Sequence, residues 1–534
     1  MNHGDRPSSN VEGSRSPVLA MNGMIATSQP LASAAGLRIL QEGGNAVDAA
    51  ISAAAVLNVV EPMSTGIGGD MFALVYMNED RKPVGLNGSG WAGSRASVDF
   101  FGKRGVTQVP RIGMHSVTVP GAVAGWYKLH QRYGKTTMSR ILAPAIEYAE
   151  SGFPVSDIIA CQWQRAEDKL RATPEAARDL LPDGRAPRHG DIVRLPRLAR
   201  TLRQIADAGR DVFYNGPIAE EIVRFSDKHD GTLTLGDFAD FDAQWIEPIS
   251  TNYHGYDVCE LGAQTQGITV LEMLNILEGF DLHEAGHNSA DYLHWMIEAK
   301  KLAFADRDAY IADPDRVSVP VSCLIAKEYA ADRRKLISPD RAMPSPRPGL
   351  PENGDTVYLT VVDKDRNAVS FINSLFEGFG SGLVAGDTGI VLHNRGALFS
   401  LDPKHANTVA ARKRPFHTLI PGMVLKENKP FFSFGVMGGD NQPQGHVQVL
   451  VNLIDFGMDA QQAGEVPRFR HSGDEVLLES AFSGSVQSGL VRKGHRVASA
   501  IDAWGGYQGI LIDSVTGALM GGSDPRKDGL AIGW

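Results

Sequence analysis

Two kinds of hydrophobic repeat divide this chain. Up to about residue 314, apolar positions recur mainly with helical spacing; beyond residue 356 they alternate or run in short bursts, as strands do. A short strand is expected at 22–27. Pro30 then opens a helix (LASAAGLRILQEG) ended by Gly43 and Gly44, and Asn45 can cap the Ala-rich helix AVDAAISAAAVLNVV. GIGGD (66–70) is a tight glycine turn entering the strand MFALVYM. Strand patterns recur at 82–88 and 115–119, and helical ones at 121–133 and 136–152. Residues 157–245 are charged and helix-rich, 253–261 reads as a strand, 267–279 as a helix, and a long helix from Ser289 is stopped by Pro314. The second half holds a hairpin (357–362 and 368–373), then strands at 390–394, 422–427, 431–436 and near 475–479, 495–500 and 508–512, with a helix at 443–455. Helices concentrated early and strands late, but interleaved, predict an α+β protein with helix layered over mixed sheet.

The hairpin carries the most informative polar pair. Folding it about Asp365 puts Thr356 and Ser374 opposite each other at its open end. The approach to Thr356, SPDRAMPSPRPGLPENGD from Ser338 to Asp355, has five prolines and almost no apolar content, the composition of an exposed, cleavable linker. A strand that starts with Thr directly after such a linker suggests that Thr356 becomes a new N-terminus. Its hydroxyl would then be the nucleophile and its own α-amine the base. The plain alternative is an ordinary threonine at the start of a strand. GIGGD is no phosphate loop, lacking GK[ST] and a following helix, so its glycines read as turn and packing residues.

Composition narrows the classes. The 534 residues suffice for two to four average domains or one large layered unit, and 43% apolar with 21% charged residues is an ordinary globular balance. A net charge of -10 argues against nucleic acid or an anionic membrane as partner. The 15 histidines show no HExxH or paired Cys/His spacing, so neither a metal site nor any other cofactor is indicated. Cys161, Cys259 and Cys323 are too few and scattered for a disulfide framework. The N-terminus is polar without an apolar h-region, and the most hydrophobic window, Ala46 to Val60, is too short to span a bilayer. A cytoplasmic protein is expected.

Several blocks together resemble one family: GGNAVDAA (43–50), VPGAVAGW (119–126), MIEAKKLAFADRD (296–308), DTVYLTVVDKDRNAVS (355–370), FGSGLVAGDTGIVLHN (379–394), KRPFHTLIPGMV (413–424), MGGD (437–440) and VPRF (466–469). They occur in order, from about residue 17 to the C-terminus, as in the γ-glutamyltransferases, autoprocessing N-terminal-nucleophile hydrolases. The resemblance implies a four-layer αββα sandwich built jointly by two processed pieces that stay associated. The chain then divides into a tail (1–16), a large piece (17–337), the linker (338–355) and a small piece (356–534). It also implies cleavage between Asp355 and Thr356, with Thr356 as nucleophile, Ser374 as the supporting hydroxyl, and Gly438 and Gly439 as donors to the oxyanion. An α-amine with a pKa near 8 can accept a proton at neutral pH, and glycine lets backbone N–H groups approach a carbonyl closely. A structural turn is the other reading of the glycine pair.

Recognition residues depart from the family pattern. Ser89 stands where the family has a carboxylate-gripping Arg, with Trp91 and Arg95 nearby; such a grip needs a bidentate guanidinium. Leu398 replaces the Asp that holds an α-ammonium, Arg395 a Gln-type contact, Phe376 an Asn, and His417-Thr418 a Ser-Ser pair. Losing an anion and gaining Arg395 suits an anionic or neutral substrate rather than a free α-amino acid head group. Arg395 as a structural ion-pair partner, and His417 as a core residue rather than a substrate donor, are the alternatives. The blocks NSLFEGFGSG, HNRG, KRPFHT and GVMGGDNQPQGH look more like the divergent bacterial branch, with its cephalosporin-acylase-like enzymes and oxamate amidohydrolases. The expectation is an amide hydrolase or acyltransferase working through an acyl-enzyme. Its substrate is either γ-glutamyl or a small amide such as oxamate or an N-acyl compound. A scaffold that never matures is the reading from another class.

Overall fold

A computed structural model describes residues 15–344, 355–500 and 505–534. Most of the expected tail and residues 345–354 of the linker lie outside the described residues.

Among the described residues, two seven-stranded sheets carry the fold, and every pairing within them is antiparallel. The first runs Leu530–Gly533, Met24–Thr27, Asp355–Val362, Ala368–Phe376, Asp70–Tyr76, Pro83–Gly88, Gln244–Ile246. The second runs Val18–Ala20, Leu519–Ser523, Tyr507–Ile512, Lys429–Val436, Gly422–Lys426, Tyr256–Glu260, Ile249–Tyr253. The sheets face each other across a core that includes Met24, Phe72, Leu74, Tyr358, Ile372, Met423 and Ile510. Helices Pro30–Gln41, Ala46–Val60, Ala122–Tyr133 and Met138–Ser151 cover the outer face of the first sheet, and Gly267–Leu277, Ala290–Tyr310 and Asn441–Ile454 that of the second. This is the αββα layering expected above.

Strand alternation explains where the site faces. Along Asp355–Val362, Val357, Leu359 and Val361 enter the helix-covered core, while Tyr358 and Val362 enter the inter-sheet core. Thr360 has the same parity and meets Ser433 of the other sheet, Oγ1 to Oγ, at 2.6 Å. Period 2 puts Thr356 on this inter-sheet side with Tyr358, and likewise Ser374 with Ile372 and Asp70 with Phe72. The hairpin turn is anchored too. Asp363 Oδ2 accepts from the Ala46 amide at 3.0 Å, beside the Asn45–Asp48 capping box of a helix buried at all its positions.

Three local expectations change. Residues 115–119 form no strand: Met114–Ser116 is a 3₁₀ turn, and Val119 N donates to the loop carbonyl of Trp91 at 3.0 Å instead of joining a ladder. The strand at 390–394 shortens to Val391–Leu392, and His393 and Asn394 leave the ladder. Ile249–Tyr253, Leu519–Ser523 and Leu530–Gly533 are sheet strands that short length, Gly content or weak alternation hid.

Candidate active site

Thr356 Oγ1 lies 3.1 Å from Ser374 Oγ, with both residues buried. The ladder register shifts between Asp355 and Val357, so Asp355 pairs with Phe376 while Val357 pairs with Asn373. The extra residue on the second strand bends it. Ser374 Oγ accepts the Phe376 amide at 2.7 Å, and Phe376 is held at φ +80°, a left-handed conformation costing a bulky residue about 1–3 kcal/mol. The Arg395 guanidinium covers the Phe376 ring at 4.4 Å, and Arg395 Nη1 donates to Thr418 Oγ1 at 2.8 Å.

Gly438 and Gly439 follow the Lys429–Val436 strand and precede the Asn441–Ile454 helix. Both occupy the left-handed region, at φ +118° and +57°, and a Cβ on Gly438 would press on the Gly505 backbone at 3.2 Å. Their carbonyls turn toward the helix, accepting from Asn441 N at 3.0 Å and Gln442 N at 3.1 Å. Among the described residues neither glycine N–H has an acceptor, and the positive end of a helix lies next to them. Gln266 Nε2 donates to both Gly439 O and Thr418 O, each at 2.8 Å. A continuous series of contacts therefore joins Thr356, Ser374, Phe376, Arg395, Thr418, Gln266 and Gly439.

His417 is fully buried with both ring nitrogens engaged. Nδ1 accepts from Leu419 N at 3.3 Å, so Nε2 carries the proton and donates to Asp70 Oδ2 at 3.1 Å. Burial, then the nearby Arg395 charge, pushes the imidazole down to about 3, so it is neutral at physiological pH. Asp70 pairs with Ser374 across the ladder and takes the Gly90 amide on Oδ1 at 2.9 Å. Burial alone would raise its carboxyl, but His393 and His417 together hold it well below the usual carboxylate range. His393 Nδ1 stands 3.4 Å from Asp70 Oδ2, and its Nε2 donates to Thr118 O at 3.0 Å. Sequence spacing singles out neither Asp70 nor His393. The available signal was an acid opening an otherwise apolar strand.

Ser89 is buried, with Oγ accepting from Gln264 Nε2 at 2.9 Å. A guanidinium does reach this position, from Arg414: its Nε donates to Ser89 O at 3.1 Å, its Nη1 to Asp315 at 3.2 Å, and its backbone N to Asp313 at 2.8 Å. Arg95 instead points outward to Asp227 at 2.6 Å. Leu398 is half-buried at the end of the short Arg395–Leu398 3₁₀ turn.

One His/Glu cluster has a geometry that linear spacing did not suggest. His294, Glu298 and His495 bring their ligand atoms within 4.8 Å of one another, against the helix-covered face of the second sheet. Their capacity is already used. His294 Nε2 donates to Ser338 O at 2.7 Å, so His495 Nε2 donates to His294 Nδ1 at 2.8 Å. Glu298 takes Lys301 Nζ at 2.7 Å and Met343 N at 2.8 Å. The network fastens Ser338 and Met343 to the body of the protein, and Glu298 already carries the Lys301 ammonium as its cation.

Two stacked antiparallel sheets between helix layers, with a hydroxyl at the start of an inner strand, define an N-terminal-nucleophile hydrolase architecture, the class of enzymes that act on amide bonds. Comparison narrows it further. The Gamma-glutamyltranspeptidase family model matches residues 32–534. The chain is 39% identical over 526 residues to the glutathione hydrolase-like YwrD proenzyme of Bacillus subtilis, covering 97% of this chain and 99% of that protein. It is 37% identical over 530 residues to the oxamate amidohydrolase proenzyme of Klebsiella pneumoniae, with 97% and 99% covered. The crystal structure of cephalosporin acylase from Bacillus halodurans superimposes with a TM-score of 0.93 at 45% identity, over 99% of both chains. The chain belongs to the gamma-glutamyltranspeptidase family.

Proposed function

We propose that the chain cleaves itself between Asp355 and Thr356 and then hydrolyses a small amide carrying a carboxylate, of the oxamate type, through an acyl-enzyme on Thr356. The observation that carries this reading is the buried Thr356–Ser374 hydroxyl pair at 3.1 Å, at the first position after the proline-rich linker. Before cleavage the Thr356 nitrogen is an amide and cannot act as a base. Afterwards it is an amine that takes the hydroxyl proton as Oγ1 attacks the substrate carbonyl. The Gly438 and Gly439 N–H groups receive the developing oxyanion. The ammonium then returns its proton to the leaving amine, and water, or an acceptor amine, attacks the resulting ester.

The substrate class rests on charge. Arg395 and Thr418 supply donors suited to a carboxylate, and Phe376 closes the space beside them. Asp70 is already shared between His393 and His417, so it is a poor partner for an α-ammonium. Ser89, with Arg414 behind it, belongs to the same wall, and His417 supports that wall rather than touching substrate. A second reading, γ-glutamyl cleavage of a glutathione-like substrate, is supported by the printed names of relatives such as the glutathione hydrolase of Escherichia coli, 35% identical over 546 residues. The two pieces stay associated in this reading because the hairpin beginning at Thr356 lies between strands of the large piece, Met24–Thr27 and Asp70–Tyr76. A cytoplasmic site of action is part of it, supported by the three free cysteines; among the described residues no helix is long and apolar enough to cross a membrane. A panel following ammonia release from oxamate and other small amides beside glutathione consumption tests the proposal. Oxamate-type turnover above glutathione turnover is expected, and the reverse order overturns the substrate assignment.

A further inference from the structure

Between the Tyr256–Glu260 strand and the wholly buried Gly267–Leu277 helix the chain places three consecutive polar residues, Gln264, Thr265 and Gln266, all buried. A buried amide is costly unless its bonds are made. Here they are made, and both glutamine NH₂ groups donate to segments that carry the candidate site. Gln264 Nε2 donates to Ser89 Oγ and to Pro415 O, both at 2.9 Å, while its Oε1 accepts from Asn87 at 2.8 Å. Its backbone carbonyl takes the His417 amide at 2.9 Å, and Thr265 forms a bridge with His417. Gln266 spends one amide nitrogen on two carbonyls from different segments, Thr418 O and Gly439 O, each at 2.8 Å. Its Oε1 accepts from Arg307 Nη1 at 3.1 Å, and the same nitrogen reaches Asp440 Oδ1 at 2.7 Å. The Gln266 amide is therefore oriented from behind.

The geometry points to Gln266 as a positioning residue that sets the Gly438–Gly439 turn against the Thr418 wall, and to Gln264 as its counterpart for the wall alone. Glycines with left-handed φ have no side chain to lock them, so the aim of that turn depends on bonds to its carbonyls. Gly439 O receives two, from Gln442 N inside its own segment and from Gln266 outside it. Only the second ties the turn to the surface where substrate is held. Because the two hydrogens of one planar NH₂ group serve both carbonyls, oxyanion donors and recognition wall move together or not at all. This inference rests on the oxyanion role proposed for the glycine pair.

The test uses matured protein with Gln266→Met, which keeps length and loses both donors, beside Gln264→Met. Steady-state kinetics are measured on the best amide of the panel. Hydrogen exchange is followed in peptides covering 415–419 and 436–442. Gln266→Met is expected to lower kcat by about ten- to hundredfold, with KM within about threefold, a part of what removing an oxyanion donor outright costs. Exchange should rise in both segments. Gln264→Met should instead raise KM, leave kcat within about threefold, and speed exchange only in 415–419. Gln266→Asn keeps a buried amide but is one methylene too short to span both carbonyls. It should show the Gln266 pattern at reduced size, and it serves if the methionine variant does not accumulate. Unchanged exchange in 436–442, or equal losses of kcat from both methionine variants, overturns the inference. If Thr356→Ala turned substrate over like the parent, the functional reading would fall, while the exchange data would still decide what Gln266 holds.

Discussion

The Thr356–Ser374 hydroxyl pair and the proposed recognition wall meet at Ser374 but are built on different physical terms. Thr356 and Ser374 carry neutral hydroxyls on one continuous hairpin, and their closeness follows from its pairing and the bulge at its open end. The wall is assembled from Asp70, Ser89, His393, Arg395, His417 and Thr418, contributed by segments on both sides of the proposed cleavage point, and it carries charge in a buried setting. Its members hold one another's protonation states: Asp70 stays ionised because two imidazoles face it, and His417 stays neutral because burial and Arg395 oppose its charge. On the proposed reading, the nucleophile depends mainly on backbone order at the hairpin end, whereas specificity is coupled to stability. A change in the wall must satisfy a charge network as well as a new substrate.

That contrast can be sharpened by mutation. Asp70→Ala leaves the Gly90 amide and the His417 Nε2–H without their acceptor, and should cost about 3–5 kcal/mol in urea unfolding. A loss below about 1 kcal/mol would mean that the wall is not the charge network described. Arg395→Gln removes the guanidinium from the Phe376 ring, and should lower kcat/KM for a carboxylate-bearing amide about a hundredfold while self-cleavage continues. A smaller, graded effect comes from acid. His417 and His495 are pushed down to about 3 and His471 to about 2, chiefly by burial, so between the ordinary imidazole range and about pH 3 the unfolded chain binds more protons. Stability conferred by these neutral rings is present above about pH 6.5 and is lost as pH falls through that window. Urea midpoints measured from pH 7 to pH 4 should decline steadily, and less steeply in His471→Gln. Smallest of all, Thr360→Val removes a hydroxyl pair between the sheets far along the strand from Thr356. It should cost about 1 kcal/mol and leave kcat unchanged.

Much of this architecture was legible in the chain. The capped Ala46–Val60 helix, the long helix ending before Pro314 and the 357–373 hairpin all follow from period and punctuation, and the hairpin brings Thr356 beside Ser374 across a bulge that the pattern does not show. The oxyanion reading of the glycine pair and the αββα layering came from family resemblance, because no local rule separates an oxyanion turn from an ordinary one. What stayed hidden was non-local. The glycine turn at 66–70 masked Asp70, whose partners His393 and His417 are more than three hundred residues away in sequence. Gln264 and Gln266 fall in the connection ahead of a helix, and nothing local marks them, since their acceptors lie at Ser89, Pro415, Thr418 and Gly439. The His294–Glu298–His495 cluster joins the long helix to a residue two hundred positions later, so no spacing motif reports it.

The central claim is that Thr356 becomes a catalytic N-terminus, and the intact mass of the purified protein beside a Thr356→Ala variant tests it most directly. Two pieces divided between Asp355 and Thr356 in the parent, and a single uncut chain without amidase activity in the variant, is the predicted result. One full-length species in both would mean that the amine is never freed, and would contradict the account.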